Sequence, residues 1–124
     1  MTLDDYNRFC ASLPAATHVV QWGGAHVWKV GGKVFAIAGW GQGEVPQVTF
    51  KCSEMAFEVL KEQPGLRPAP YLASRGMTWI QRRTRDSMDD DALRDYVRAS
   101  YALILQKLPK RLRAEIAAPA GGGA

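Results

Sequence analysis

The sequence is short of cysteine, of histidine and of long apolar runs. Two cysteines, Cys10 and Cys52, allow one bridge at most and exclude a disulfide scaffold. Cys10 falls in a helix-like pattern and Cys52 ends a strand-like run, so each reads as a small buried apolar side chain. No stretch approaches the ~20 apolar residues of a membrane span. The chain also opens without a basic-then-apolar leader. Reduced thiols, a cytoplasmic location and no membrane partner are therefore expected. The two histidines, His18 and His26, fall short of the three or four ligands of a usual metal site, and no Cys/His spacing matches one. Both read as ordinary strand residues, and neither a metal nor a cofactor is expected.

Motifs for catalysis are missing too. The stretch Gly39-Trp40-Gly41-Gln42-Gly43 looks like a phosphate loop, but it runs into Pro46 and a strand instead of a helix. It reads as a flexible loop that exposes Trp40. No nucleophile elbow is present. Ser12, Ser53, Ser74, Ser87 and Ser100 each have a cap, turn or packing explanation. No catalytic residue is expected, and the chain reads as a binding protein and not an enzyme.

Acids are absent from two segments. Residues 66–85 hold Arg67, Arg75, Arg82, Arg83 and Arg85, and residues 107–113 hold Lys107, Lys110, Arg111 and Arg113, with no Asp or Glu in either. Those nine cations leave seven against twelve acids elsewhere, so the net charge of +4 conceals a strong asymmetry. Such asymmetry points to an anionic partner.

What is present is one domain's worth of ordinary globular sequence, 124 residues and 47% hydrophobic. Thr2-Leu3-Asp4-Asp5 is a helix start, followed by a stripe of Tyr6, Phe9, Cys10 and Leu13 that Pro14 ends. His18 to Trp22, His26 to Val30 and Lys33 to Ala38 are β-branched and aromatic. Gly31-Gly32 between the last two is a hairpin signal. Alternation puts Trp28 and Val30 on one face, and likewise Phe35 and Ile37. Gln47 to Lys51 is a further strand. Ser53 caps a second helix that runs to Pro64-Gly65, and Arg67 to Leu72, with Pro68 and Pro70, is an edge strand at best. Met77 to Thr84 is the last strand. Ser87 or Asp89 then opens the longest helix, with Leu93, Val97, Ser100, Tyr101, Ile104 and Leu108 on one side. The tail from 117 to 124 is Gly/Ala-rich and expected to be disordered. The order of elements fits an α+β domain over residues 1–116, an antiparallel sheet with helices on one face.

Several segments, in order, resemble the MmcQ/YjbR family of small bacterial proteins. They are Leu3-Asp4-Asp5-Tyr6, Gly32-Lys33-Val34-Phe35-Ala36, Val48-Thr49-Phe50-Lys51-Cys52, Pro64 to Leu72, Trp79-Ile80, Ser100-Tyr101 and Leu108 to Arg113. The resemblance covers about residues 2–116 and implies a CyaY-like fold. It also implies DNA binding, because part of that fold is likened to a double wing. A CyaY-like fold further raises iron binding, which calls for a cluster of acids. Asp4 and Asp5 are all that the first helix offers, so iron is not expected.

The expected nucleic-acid contacts are Lys29, Lys33, Lys51, Arg82, Arg83, Arg85, Lys110 and Arg111, converging from distant segments on one surface that grips phosphate. Alternation along the last strand places Trp79, Gln81, Arg83 and Arg85 on one face, an aromatic beside two arginines. The competing reading of that strand is a solvated edge guarded by charge, with Trp79 turned inward. A protein-interaction or small-ligand module, with Trp40 and Trp79 lining an aromatic groove, is the alternative function.

Overall fold

The computed structural model describes residues 1–39, 46–70, 77–84 and 87–117. Its helices begin where side chains satisfy the free N–H groups of a first turn. Thr2 Oγ1 accepts from Asp5 N–H and the Asp5 carboxylate accepts from Thr2 N–H, both at 3.1 Å, which starts α1 (Leu3–Ala11). Ser53 caps α2 (Glu54–Leu60), accepting from Ala56 N–H at 3.1 Å. Asp89, and not Ser87, caps α3 (Asp90–Gln106), accepting from Ala92 N–H at 2.7 Å. Pro109 separates α3 from α4 (Lys110–Ala117).

The strands are β1 (Thr17–Gln21), β2 (Ala25–Val30), β3 (Lys33–Gly39), β4 (Gln47–Lys51), β5 (Leu66–Pro68) and β6 (Trp79–Arg82). They form one antiparallel sheet in the order β1-β2-β3-β4-β6-β5. All four helices pack on one face. The core there joins Tyr6 and Cys10 of α1, Leu60 of α2, and Leu93, Val97, Tyr101 and Ile104 of α3 to Trp28, Val30, Phe50 and Ile80 of the sheet, with Leu112 and Ile116 of α4 packed against it. On the opposite face, Val27, Ile37, Thr49 and Gln81 lie in register across four strands, all buried. The expected α+β architecture is the one observed. Of the tail 117–124 expected to be disordered, Ala117 instead ends α4, and residues 118–124 lie outside the described residues.

One expectation about facing fails. Phe35 belongs to the helix-side core with Ala36 and Ala38, whereas Ile37 belongs to a second cluster with Ala25 and Val27. The cause is a bulge. Trp28 pairs with Ala36, but Lys29 pairs with Val34, so Phe35 is an extra residue that resets the alternation. The β3–β4 ladder accordingly stops at Ala36 and Phe50. Beyond that point, the buried hydroxyl of Ser100 on α3 takes over. It donates to Phe35 C=O at 2.6 Å and accepts Lys51 N–H at 2.9 Å.

The β2–β3 turn is the Gly31-Gly32 hairpin, both residues at positive φ (57° and 80°). A Cβ on Gly31 would lie 2.5 Å from Leu108 Cδ1 and 3.1 Å from Leu112 Cδ2, so this turn sits on the α3–α4 junction. Gly31→Ala is expected to destabilise the fold by about 2 kcal/mol, from left-handed backbone and overpacking together. Gly32→Ala has nothing within 4 Å of the added Cβ and isolates the backbone share. Comparing the two denaturant midpoints checks this.

The sheet's two edges differ. β5 carries Arg67 and Pro68, whereas β1 is the uncharged Thr-His-Val-Val-Gln with its first four residues exposed.

Candidate nucleic-acid interface

β6 is not an edge strand. It lies between β4 and β5, and Trp79, Ile80, Gln81 and Arg82 are all buried. Two site expectations are corrected by this placement. Trp79 is 4% exposed, so its ring is not offered to a base or a ligand groove. Arg82 is 1% exposed and turned to the helix side. Its guanidinium donates from Nη2 to Asp90 Oδ1 at 3.2 Å and from Nε to Thr84 C=O at 3.2 Å. Asp90 also accepts from the Met1 ammonium at 2.6 Å. That ammonium, aided by Arg82, holds the Asp90 carboxyl below its ordinary value. Arg82 is thus an internal anchor of the α3 N-terminus and not a phosphate contact.

Arg83 is exposed at the same end of the sheet, its N–H bonded to Gly65 C=O at 2.8 Å. Gly65 is at φ +81°, and a Cβ there would come within 2.5 Å of Ser87 Cβ, so the β5–β6 end is tightly packed against the start of α3. Arg85 and Trp40 lie outside the described residues.

The opposite end of the molecule gathers a different set of cations. Lys51 ends β4, Lys33 begins β3 just past the Gly31-Gly32 turn, and Lys107 is the C-cap of α3. The turn's contact with Leu108 brings β3 to the end of α3, and the Ser100 bridge ties Lys51 to the same helix. The three lysines meet there. The Lys107 amine is near enough to Lys51 to act on its titration. That proximity, with partial burial and the charges of Lys107 and Lys33, pulls the Lys51 pKa down to about 8. Among the described residues no carboxylate contributes to the shift. Lys51 is half-buried, while Lys33 and Lys107 are exposed.

Lys110 and Arg111 follow on the first turn of α4, exposed, with Arg111 Nε 3.6 Å from Glu115. Lys29 is half-buried in β2 beside the bulge. The cations expected to share one basic surface are divided, with Arg82 buried. Lys33 and Lys51 join Lys107 at one end of α3, and Arg82 and Arg83 sit at the other, about 25 Å along its 17 residues. Lys107 was visible as part of a basic segment, but only the fold shows which cations it joins.

Of the two tryptophans expected to line an aromatic groove, Trp79 is buried and Trp40 lies outside the described residues. Clefts of about 250 and 770 Å³ run between α2 and α3, the smaller over Cys52, Ala56, Tyr96, Ala99 and Leu103, and among the described residues no tryptophan borders either. Both thiols are free, and burial pushes Cys10 up to about 12 and Cys52 to about 11, so neither is a thiolate near neutral pH. Among the described residues no helix is long and apolar enough to cross a membrane.

A family model, YjbR, matches residues 11–103, from the end of α1 through most of α3. The chain belongs to the YjbR family. Solved structures agree on the fold of this YjbR chain. A crystal structure of the Deinococcus radiodurans protein DR2400, described as carrying a DUF419 domain, superposes with a TM-score of 0.76 at 20% identity, over 99% of this chain and 95% of that one. The crystal structure of a Pseudomonas syringae protein superposes with a TM-score of 0.67 at 14% identity, over 84% of this chain and 99% of that one. No curated protein matches the chain.

Proposed function

We propose that this YjbR-family protein is a non-enzymatic DNA-binding protein that grips backbone phosphate with Lys33, Lys51 and Lys107. The convergence of these three lysines from three elements, seen in the lowered Lys51 pKa, carries the reading. Three like charges held together repel one another, and a phosphate arriving between them replaces repulsion with attraction. Lys110 and Arg111 extend the same end of the molecule. The contacts are to phosphate, so they set affinity and position more than base preference.

Fluorescence anisotropy with a labelled duplex, over a range of salt, tests this. Each phosphate contact contributes about −0.9 to the slope of log K against log salt. Replacing Lys51 and Lys107 together with Gln is expected to weaken binding and flatten that slope by about 1.8. Arg83→Gln, at the far end of α3, is expected to leave the slope unchanged. The pH dependence has a definite sign. Below about 8 Lys51 is charged, and above it the charge is lost, so affinity falls as pH rises through that value. A wild-type chain that shows no salt-sensitive binding to duplex DNA at low ionic strength would refute the proposal.

A further inference from the structure

The two histidines meet across the β1–β2 pair. His18 is opposite Trp28 and His26 opposite Val20, so the imidazoles are diagonal neighbours on the helix-bearing face. His18 Nε2 lies 3.0 Å from His26 Nδ1. The ring centroids are 5.1 Å apart and the planes differ by 20°. That separation matches an N···N contact plus the two ring radii, so the rings meet edge to edge and not face to face. Each ring thus turns a nitrogen towards the other.

Hydrogen bonds from α1 fix the tautomers. Trp28 Nε1–H donates to Asn7 Oδ1 at 2.9 Å. The Asn7 oxygen is thereby committed, and its NH₂ group faces His26 Nδ1 at 3.3 Å. An amide NH₂ only donates, so His26 Nδ1 is an acceptor and the neutral ring carries its proton on Nε2. His18 Nε2–H must then donate to the same atom. One lone pair on His26 serves two donors, an over-subscribed acceptor with room for a better partner.

We propose that His18 Nε2 and His26 Nδ1 form a binding site for a divalent transition-metal ion, with Cu²⁺ the best fit. Imidazole nitrogen suits such ions, and at a given site Cu²⁺ binds more tightly than Ni²⁺ or Zn²⁺. With metal–nitrogen bonds of about 2.0–2.1 Å, nitrogens 3.0 Å apart subtend roughly 90° at the ion. That is the angle between adjacent positions of the tetragonal geometry Cu²⁺ prefers. His18 is exposed on an edge strand, so its ring can pivot to aim Nε2 at the ion. Its proton then sits on Nδ1, the other tautomer of the neutral ring. Among the described residues no group of three or more His, Cys, Asp or Glu side chains could hold a metal, so the remaining positions go to water. The site is consequently an exchangeable one and not a structural staple.

Titration of the full chain with CuCl₂ at pH 7, with glycine as a weak competitor, tests this by tryptophan fluorescence and electron paramagnetic resonance. The Trp28 ring lies 4.8 Å from His18, so bound Cu²⁺ is expected to quench its emission. One equivalent should bind, more tightly than Ni²⁺ or Zn²⁺, with hyperfine coupling from imidazole nitrogen. Losing an outer-shell partner alone costs 10–100-fold in metal affinity, so His18→Ala should weaken binding by at least about tenfold. Asn7→Ala should not weaken it, because Asn7 competes for the His26 lone pair. Copper bound equally well by the His18→Ala chain, or a spectrum without imidazole coupling, as capture by the terminal amine would give, overturns the proposal.

Discussion

Replacing Asp90 with Asn is expected to lower the unfolding free energy by about 3 kcal/mol. The change is nearly isosteric, so it opens no cavity. Its cost comes from the ion-pair contacts it removes. Arg82 is 1% exposed, and the Met1 ammonium is almost as deeply enclosed. Among the described residues Asp90 is the carboxylate that meets both. The change takes from the Met1 ammonium the carboxylate it bonds and from Arg82 one of its partners, both in an enclosed place. The expected value is at the lower end of that range because 35% of the Asp90 side chain remains open to solvent. Asp91→Asn is the matched control. Its pair with Arg94, three residues on, is on the surface, with Asp91 95% exposed, and should be worth less than about 1 kcal/mol. Urea unfolding of the two variants separates the cases. The pH dependence follows from the same group. A carboxyl whose folded pKa lies below its unfolded value of 3.8 stabilises the fold above that value, and the contribution is lost as pH falls through the folded one. The wild type should therefore shed stability on acidification below about pH 4 that the Asn variant never had.

Ser100→Ala is expected to cost about 2 kcal/mol and also to weaken binding at the lysine cluster. The lost hydroxyl is the link between Phe35 C=O and Lys51 N–H where the bulge interrupts the β3–β4 ladder. Without it, two backbone groups in a dry interior lose their partner. Lys51 is one of the residues so released, so its side chain loses its fixed relation to Lys107. A variant that unfolds at lower urea yet binds duplex DNA with an unchanged salt slope would show that the bridge serves stability alone.

Much of this fold is legible locally. Thr2, Ser53 and Asp89 announce their helices because capping needs only a side chain and the next turn. Gly31-Gly32 announces its hairpin because left-handed backbone is cheap only there. The failures come from pairings between residues far apart in sequence. Nothing within Met77 to Thr84 says that β6 will be inserted between β4 and β5, so Trp79 and Arg82 look available when they are enclosed. Nothing within Lys33 to Ala38 signals an extra residue at Phe35, because a bulge is defined by the partner strand. The cations were visible as two segments, but their sharing of one surface depended on which end of a long helix each segment reached. The separation of Lys107 from Arg83 was decided by the direction of α3. Two histidines are too few to signal a site by count, and only the β1–β2 register, with Asn7 arriving from α1, brings their ring nitrogens together.

The unequal borders of the sheet have a bearing on how this protein behaves when concentrated. On the β5 side, a proline and an arginine discourage any further chain from docking its backbone. On the β1 side, unsatisfied N–H and C=O groups are flanked by Val19 and Val20, 37% and 52% exposed, without a charge to repel a guest. Growth by backbone pairing is thus open in one direction only. Two molecules can cap each other there, but among the described residues neither has a second free border to recruit a third, so such association closes at a pair instead of propagating into a fibre.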